Sequence, residues 1–212
     1  MRFKTFLESV VKIKHLNLFG ESSHAKMSPP YRLKLVEEMK EKAKDAKTAA
    51  VLALFYPKEE ETYLVLILRK TYKGVHSAQV GFPGGKYEDE DADLRATALR
   101  EAEEEVGVAQ SMVNILKKLS PLYIPPSNFM VHPYFGISEF TPKFIKQDEE
   151  VEAVLEVKLQ DVLDNQNAIV TKVATSYSIE VKVPAFKLNG FIVWGATAMM
   201  LGEIKDLLKQ VL

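Results

Sequence analysis

Residues 84–108 read GGKYEDEDADLRATALREAEEEVGV, and the pattern of this stretch decides both the fold and most of the chemistry. Two glycines open it, and glycine lets backbone turn sharply and lets a ligand approach closely. Residues 93–107 then carry helical spacing. At about 100° per residue, side chains three and four positions apart share a face. Glu101, Glu104 and Glu105 therefore fall within one arc, and Leu99, Ala102 and Val106 fall on another, roughly opposite. The apolar arc is a core-facing stripe. Glu103 belongs to neither and is left to solvent. Like charges at i,i+3 and i,i+4 repel on a helix, so the acidic arc contributes little to the fold. A bound cation would offset that repulsion, whereas a solvated charged face is the plainer alternative. The preceding Phe82-Pro83-Gly84-Gly85 favours the cation, because it brings backbone close to the helix and can present carbonyl oxygens.

Working outward, residues 48–56 (TAAVLALFY) and 62–69 (TYLVLILR) are short apolar runs joined by a polar segment, which predicts a strand pair with one turn. Residues 113–124, 129–138 and 151–158 read as further strands, with loops at Pro125-Pro126-Ser127-Asn128 and from Thr141 to Glu150. Residues 177–186 alternate in period two and residues 190–194 are apolar, suggesting two closing strands in the same domain. A last helix is expected over residues 196–211, with Met199, Met200, Ile204, Leu207, Leu208 and Val211 on its apolar face. Ahead of the sheet, residues 1–45 form an N-terminal helical arm. It has a helix over residues 2–13, a polar loop, and a charged helical stretch over residues 34–46. The arm reads as an appendage to a domain of residues 46–212. It carries no recognisable chemistry. Packing on the core, covering the site and supporting a homodimer are all open to it.

Composition narrows the function classes. With 212 residues, 47% hydrophobic and 27% charged, the chain holds enough apolar material for one globular core. A formal net charge of -1 provides no global basic field for nucleic acid, so a polyanion would have to be bound locally. No cysteine is present, which removes disulfides, thiolate metal sites and cysteine nucleophiles and fits a reducing compartment. Lys4, Glu8 and Lys12 interrupt the first 13 residues, so no signal-peptide core is expected there. No run reaches the ~20 apolar residues of a membrane span. The expected location is cytoplasmic, with no membrane and no nucleic-acid partner. His76 and His132 are far apart in sequence and unaccompanied by cysteine, so zinc is not expected.

Three carboxylates and a carbonyl suit a hard divalent cation, Mg²⁺ or Mn²⁺, which takes oxygen ligands and keeps room for water and phosphate oxygens. Such an ion neutralises phosphate charge and lowers the pKa of an attacking water, so the chemistry indicated is metal-assisted hydrolysis of a diphosphate. Arg100 can pair with Glu104 at i,i+4 and hold that carboxylate in position.

This segment resembles the Nudix box, in which Gly, five residues, Glu and seven residues lead into Arg-Glu-aliphatic-x-Glu-Glu-x-Gly-aliphatic. REAEEEVGV fits the second half, with Ala102 at the aliphatic position. In the first half, counting forward from Gly85 places Asp91 at the acidic position, while counting back from Arg100 places Ala92 there. One inserted residue reconciles the two counts, and such an insertion is a feature of the coenzyme A pyrophosphatase branch. The resemblance implies an α/β class fold, an α/β/α sandwich around a mixed sheet, and a small-molecule nucleotide substrate. It implies Glu101, Glu104, Glu105 and the Gly84 carbonyl as metal ligands, with one of the glutamates as general base in some members.

The branch resemblance extends to the Pro125-Pro126 loop, to Asp148-Glu149-Glu150-Val151 and to Trp194-Gly195-Ala196-Thr197-Ala198. The branch's upstream signature is kept at Arg69 and at Phe82 to Gly85. Elsewhere Lys70 replaces Ser or Ala, Gly74 stands where Arg is expected beside Lys73, and Ala78 replaces Gly. Arg69, Lys70, Lys73 and Phe82 are the candidate substrate-binding residues. Glu101, Glu104, Arg100 and Glu150 are the candidate catalytic ones, with Glu150 on a loop where a carboxylate could complete a metal site or act as base. Trp194 reads as core, and Met199 and Met200 as helix packing. Coenzyme A is the indicated substrate, cleaved to 3',5'-ADP and 4'-phosphopantetheine. ADP-ribose, NADH and a non-catalytic nucleotide-sensing role are the alternatives.

Overall fold

The computed structural model describes residues 1–70, 79–175 and 178–212. The arm holds α1 (Phe3–Val10), α2 (Glu21–His24) and α3 (Arg32–Glu38). A hairpin of β1 (Lys47–Lys58) and β2 (Glu61–Arg69) follows, then β3 (Val80–Gly81), β4 (Gly84–Lys86) and α4 (Leu94–Val106). Next come β5 (Asn114–Lys118), β6 (Leu122–Ile124), β7 (Phe129–Ile137), β8 (Val151–Lys158) and α5 (Leu159–Leu163). The chain closes with β9 (Ala168–Thr175), β10 (Ser178–Leu188), β11 (Phe191–Trp194) and α6 (Gly195–Leu208).

Among the described residues, β1 to β8 form one mixed sheet. β1 runs parallel to β7 from Lys47↔Phe129 to Phe55↔Ile137 and antiparallel to β2 and β4. Every other pairing in the sheet is antiparallel. The side chains of β1 alternate between two covered faces, as strand geometry requires. Ala50, Leu52, Leu54 and Tyr56 pack with Ala98, Leu99, Ala102 and Val106 of α4. Ala49, Ala53 and Phe55 pack on the other side with Phe3, Phe6 and Val10 of α1 and with Met199, Leu201 and Ile204 of α6. Because both faces are buried, β1 and β2 read as continuous apolar runs rather than as alternating ones. The fold is thus an α/β/α sandwich around a mixed sheet.

Of the roles open to the arm, it packs on the core, sharing one of those layers with α6. Phe6 is fully buried, its ring 5.5 Å from that of Phe55, which stacks at 4.5 Å on Phe135. Backbone bonds join the arm to the β1–β2 turn: the Phe3 N–H donates to the Glu60 carbonyl at 2.7 Å, and the Thr62 N–H donates to the Met1 carbonyl at 2.9 Å. Further along the arm, the fully buried Glu203 of α6 accepts from the Gly20 N–H at 2.9 Å, the Ser120 N–H at 3.1 Å and the Ser120 hydroxyl at 2.6 Å. His24 Nε2 stands 3.6 Å from the same carboxylate. Burial alone would raise the Glu203 carboxyl, but the His24 imidazole and these donors outweigh it and hold it below its ordinary value.

Several boundaries differ from expectation for physical reasons. The strand expected over residues 113–124 breaks into β5 and β6 where Pro121 lacks an N–H and Ser120 is committed to Glu203. The two closing strands are joined by a third, β9, in a small antiparallel sheet of order β11-β10-β9. β9 escaped the sequence reading because its pattern is scrambled, with the apolar Val170 at a solvent-facing position, 70% exposed. The arm's α3 ends at Glu38, short of residue 46, and α1 passes at Val11 into a 3-10 turn.

Phe6→Ala removes a fully enclosed aromatic and is expected to lower unfolding free energy by about 3–5 kcal/mol, measured by urea titration. A loss below about 1 kcal/mol would mean that the arm is not part of the core. The depressed Glu203 carboxyl contributes stability above its ordinary value of 4.5, and this is lost as pH falls through the lower folded value. Melting temperature should therefore fall less steeply on acidification below pH ~4.5 in Glu203→Gln than in wild type. Parallel acid profiles would contradict the assignment.

Candidate active site

Strand β4 and helix α4 bring the sequence-predicted residues together. Asp93 caps α4 by accepting from the Ala96 N–H at 2.8 Å, and Gly107 ends it at φ 73°. Leu99, Ala102 and Val106 are buried, as the apolar arc requires, and Glu103 is exposed, accepting from Gln110 Nε2 at 2.9 Å.

The two glycines have different necessities. At Gly84, with φ 147°, a Cβ would lie 2.4 Å from the Ala50 carbonyl oxygen and 2.5 Å from Val51 Cα, so only glycine fits against β1. At Gly85 a Cβ would meet the Glu101 carboxylate at 2.4 to 2.5 Å, so the missing side chain makes the space in which that carboxylate sits.

The three glutamates of the acidic arc occupy different environments. Glu105 is only 2% exposed, contrary to the solvated-face alternative. Its Oε2 accepts from the Gly84 N–H at 2.7 Å, and its Oε1 lies 3.2 Å from Arg69 Nη2, an ion pair without hydrogen-bond geometry. Burial raises this carboxyl to about 7 against the pull of Arg69 and the Gly84 N–H, and Glu101 and Glu150 push in the same direction as burial. Glu101 is also raised, chiefly by burial, although Arg100 works the other way. Glu104, with its side chain 56% exposed, lies at the cavity mouth.

Arg100 joins the pieces. Its Nη1 donates to Glu101 at 3.1 Å and to Glu104 at 3.0 Å, which realises the i,i+4 pair expected from the sequence. Its Nη2 reaches the Lys86 carbonyl at 3.1 Å, and its Nε and Nη2 grip the two oxygens of Asp91 at 2.8 and 3.0 Å. Asp91 also accepts from the Thr97 hydroxyl at 2.8 Å and the Glu88 N–H at 3.1 Å. The Arg100 hydrogen bonds lower its carboxyl to about 2, burial opposing and the other donors assisting. Counting forward from Gly85 puts Asp91 at the acidic position of the box. Here it is the anchor of Arg100, with the extra residue taken up before the helix.

A cavity of about 470 Å³ opens among Arg69, Lys86, Arg100, the three glutamates, Gln147 and Glu150. Glu150 reaches it from the loop before β8, where its N–H is fixed by Gln147 Oε1 at 2.7 Å and its carbonyl accepts from the Lys70 N–H at 2.8 Å. Lys70 therefore sits beside the cavity through its backbone, and Lys73 lies outside the described residues, as do Gly74, His76 and Ala78. Phe82 is a core residue whose surface forms part of a second, largely apolar groove of about 350 Å³. This groove shares Arg69, Gly85 and Lys86 with the first cavity. Trp194, expected in the core, is half-buried on the groove wall, and Met199 and Met200 also reach it. So do Pro29, Tyr31, Arg32 and Leu35 of the arm, for which the sequence offered no signal beyond a Pro-Pro turn.

These residues fit a hard cation. Desolvated, mutually repelling carboxylates and a buried Glu105 oxygen without a hydrogen bond would gain from one. Among the described residues no three acidic or imidazole groups are yet gathered tightly enough to hold an ion. The guanidiniums of Arg69 and Arg100 pair with the glutamates, and Glu101, Glu104 and Glu105 are the residues that would hold an ion here.

A NUDIX domain profile matches residues 46–175. The uncharacterized Nudix hydrolases NudL of Yersinia pestis (strain Pestoides F) and of Yersinia pseudotuberculosis serotype O:1b are each 42% identical to this chain over 115 residues. That match covers 54% of this chain and 57% of each relative, so the chain spans a little over half the length of these relatives. Two solved structures share the architecture at a TM-score of 0.50. A MutT/nudix family protein from Enterococcus faecalis, 15% identical, covers 77% of this chain and 62% of its own. The Nudix hydrolase RenU from M. smegmatis, 12% identical, covers 78% and 88%. Since the profile takes in more than half of its length, and the glutamate helix with its glycine turn lies inside that region, this chain belongs to the Nudix family.

Proposed function

We propose that this protein is a hydrolase that cuts a diphosphate linkage in a nucleoside diphosphate derivative with the aid of Mg²⁺ or Mn²⁺. Coenzyme A is the favoured substrate, giving 3',5'-ADP and 4'-phosphopantetheine. The observation that carries the reading is the pair of desolvated carboxylates Glu101 and Glu105, with Glu104 beside them, set against Gly84 and Gly85 next to a groove large enough for a small molecule. The one-residue insertion ahead of Arg100, the Pro125-Pro126 loop, Arg69 and the Phe82 to Gly85 run favour coenzyme A within that class, whereas the departures at Lys70, Gly74 and Ala78 count against it. Residues 46–212 form the catalytic domain in this reading, with residues 1–45 packed on it.

Glu101, Glu104, Glu105 and the Gly84 carbonyl would hold the cation, which supplies neutralisation of the diphosphate charge and a more acidic water. Arg100, anchored by Asp91, keeps Glu101 and Glu104 aimed at the cavity. Water attacks one phosphorus, the bond to the bridging oxygen breaks, and a cavity carboxylate takes the proton. Glu150 lines the same cavity, which supports it for that task or for completing the metal site. Arg69 and Lys70, with Lys73, supply positive charge toward the substrate's phosphates.

Incubation with coenzyme A and Mg²⁺ or Mn²⁺, followed by chromatography, should yield the two named products. Intact coenzyme A alongside cleaved ADP-ribose or NADH would move the substrate within the class. No turnover of any of them would favour a nucleotide-sensing module. Glu104→Gln should lower kcat on the order of a hundredfold or more through lost charge compensation, with little change in melting temperature because the side chain is largely exposed. Wild-type turnover in that variant would overturn the mechanism.

A further inference from the structure

The groove beside the glutamate cavity has one wall from the arm, and that wall carries a charge the proposed reaction does not use. Arg32 and Leu35 share a face of α3 and line the groove, while Leu33 and Lys34 between them point to solvent. Arg32 is half-buried, and its guanidinium makes no hydrogen bond or ion pair with any of the described residues. Burial lowers its pKa, with Glu21 and Tyr31 opposing. The other cations at the groove are differently placed: Arg69 is engaged with Glu105, and Lys86 lies toward the glutamate cavity. A half-buried guanidinium that Glu21 and Tyr31 reach only at a distance lacks a bonded counter-charge, and its planar fork suits a phosphate or a carboxylate.

We infer that Arg32 is a specificity-determining residue, pairing with a second anionic group that the substrate carries beyond the scissile diphosphate while the apolar groove takes the chain or ring bearing it. The inference rests on the proposed hydrolase reading and narrows its substrate class to derivatives with such a group. The arm then selects substrate in addition to covering the core.

The full chain is assayed with two matched pairs, coenzyme A against dephospho-coenzyme A for a phosphate, and malonyl-coenzyme A against acetyl-coenzyme A for a carboxylate. Wild type should prefer the more anionic member of one pair by roughly tenfold or more in kcat/KM, the worth of a charged hydrogen-bonded pair. Which pair shows the preference identifies the anion. In Arg32→Gln that ratio should fall to about one, and Arg32→Lys should restore part of it. A purely structural role for Arg32 would depress both members together and leave the ratio intact. A preference absent from wild type, or surviving in Arg32→Gln, overturns the inference. If none of the four compounds is cleaved, the hydrolase reading with coenzyme A fails separately. Calorimetric binding of the same compounds then decides the role of Arg32 by the same ratio.

Discussion

The fit of Gly84 and Gly85 between β1 and the carboxylates of α4 is the constraint on which the site depends. Gly84 has no room for a Cβ against the backbone of Ala50 and Val51, and its N–H is spent on Glu105. Gly85 leaves the volume that the Glu101 carboxylate fills. β4 is thereby locked to β1 on one side and to the helix on the other. The apolar stripe of Leu99, Ala102 and Val106 then fixes the rotation of α4 and with it the direction of all three glutamates.

Holding acidic groups this way is costly to the fold. Removing a carboxylate from water is compensated only when charge and hydrogen bonds replace the lost hydration. The chain meets this with two guanidiniums, Arg69 at Glu105 and Arg100 between Glu101 and Glu104, and it steadies Arg100 in turn with Asp91. The compensation remains incomplete, since Glu101 and Glu105 stay raised. A fold that needed only stability would do better with apolar residues here. Such incomplete compensation is a mark of a functional site.

Much of this was legible in the sequence. The 3.6-residue period sorted Glu101, Glu104 and Glu105 from Glu103 and from the apolar stripe, and the apolar runs of β1 and β2 announced a strand pair. What sequence could not supply were long-range pairings. Nothing local says that Phe6 meets Phe55, that Glu203 gathers Gly20 and Ser120, or that Arg32 and Phe82 line one groove. The depth of Glu105 was hidden for the same reason. Its burial comes from Gly84 and Arg69, which lie 21 and 36 positions earlier in the chain. β9 was missed because a solvent-facing valine imitates the apolar side of a strand.

If the glycine turn and the glutamate helix are shaped around a divalent cation, calorimetric titration of Mn²⁺ into wild type and Gly85→Ala will separate the two proteins. An alanine at residue 85 displaces the end of one side chain, Glu101, rather than any backbone. The account predicts saturable Mn²⁺ binding in wild type, weakened roughly tenfold or more in Gly85→Ala, with the melting temperature nearly unchanged. Equal affinity in the two proteins, or no saturable binding in wild type, would contradict it.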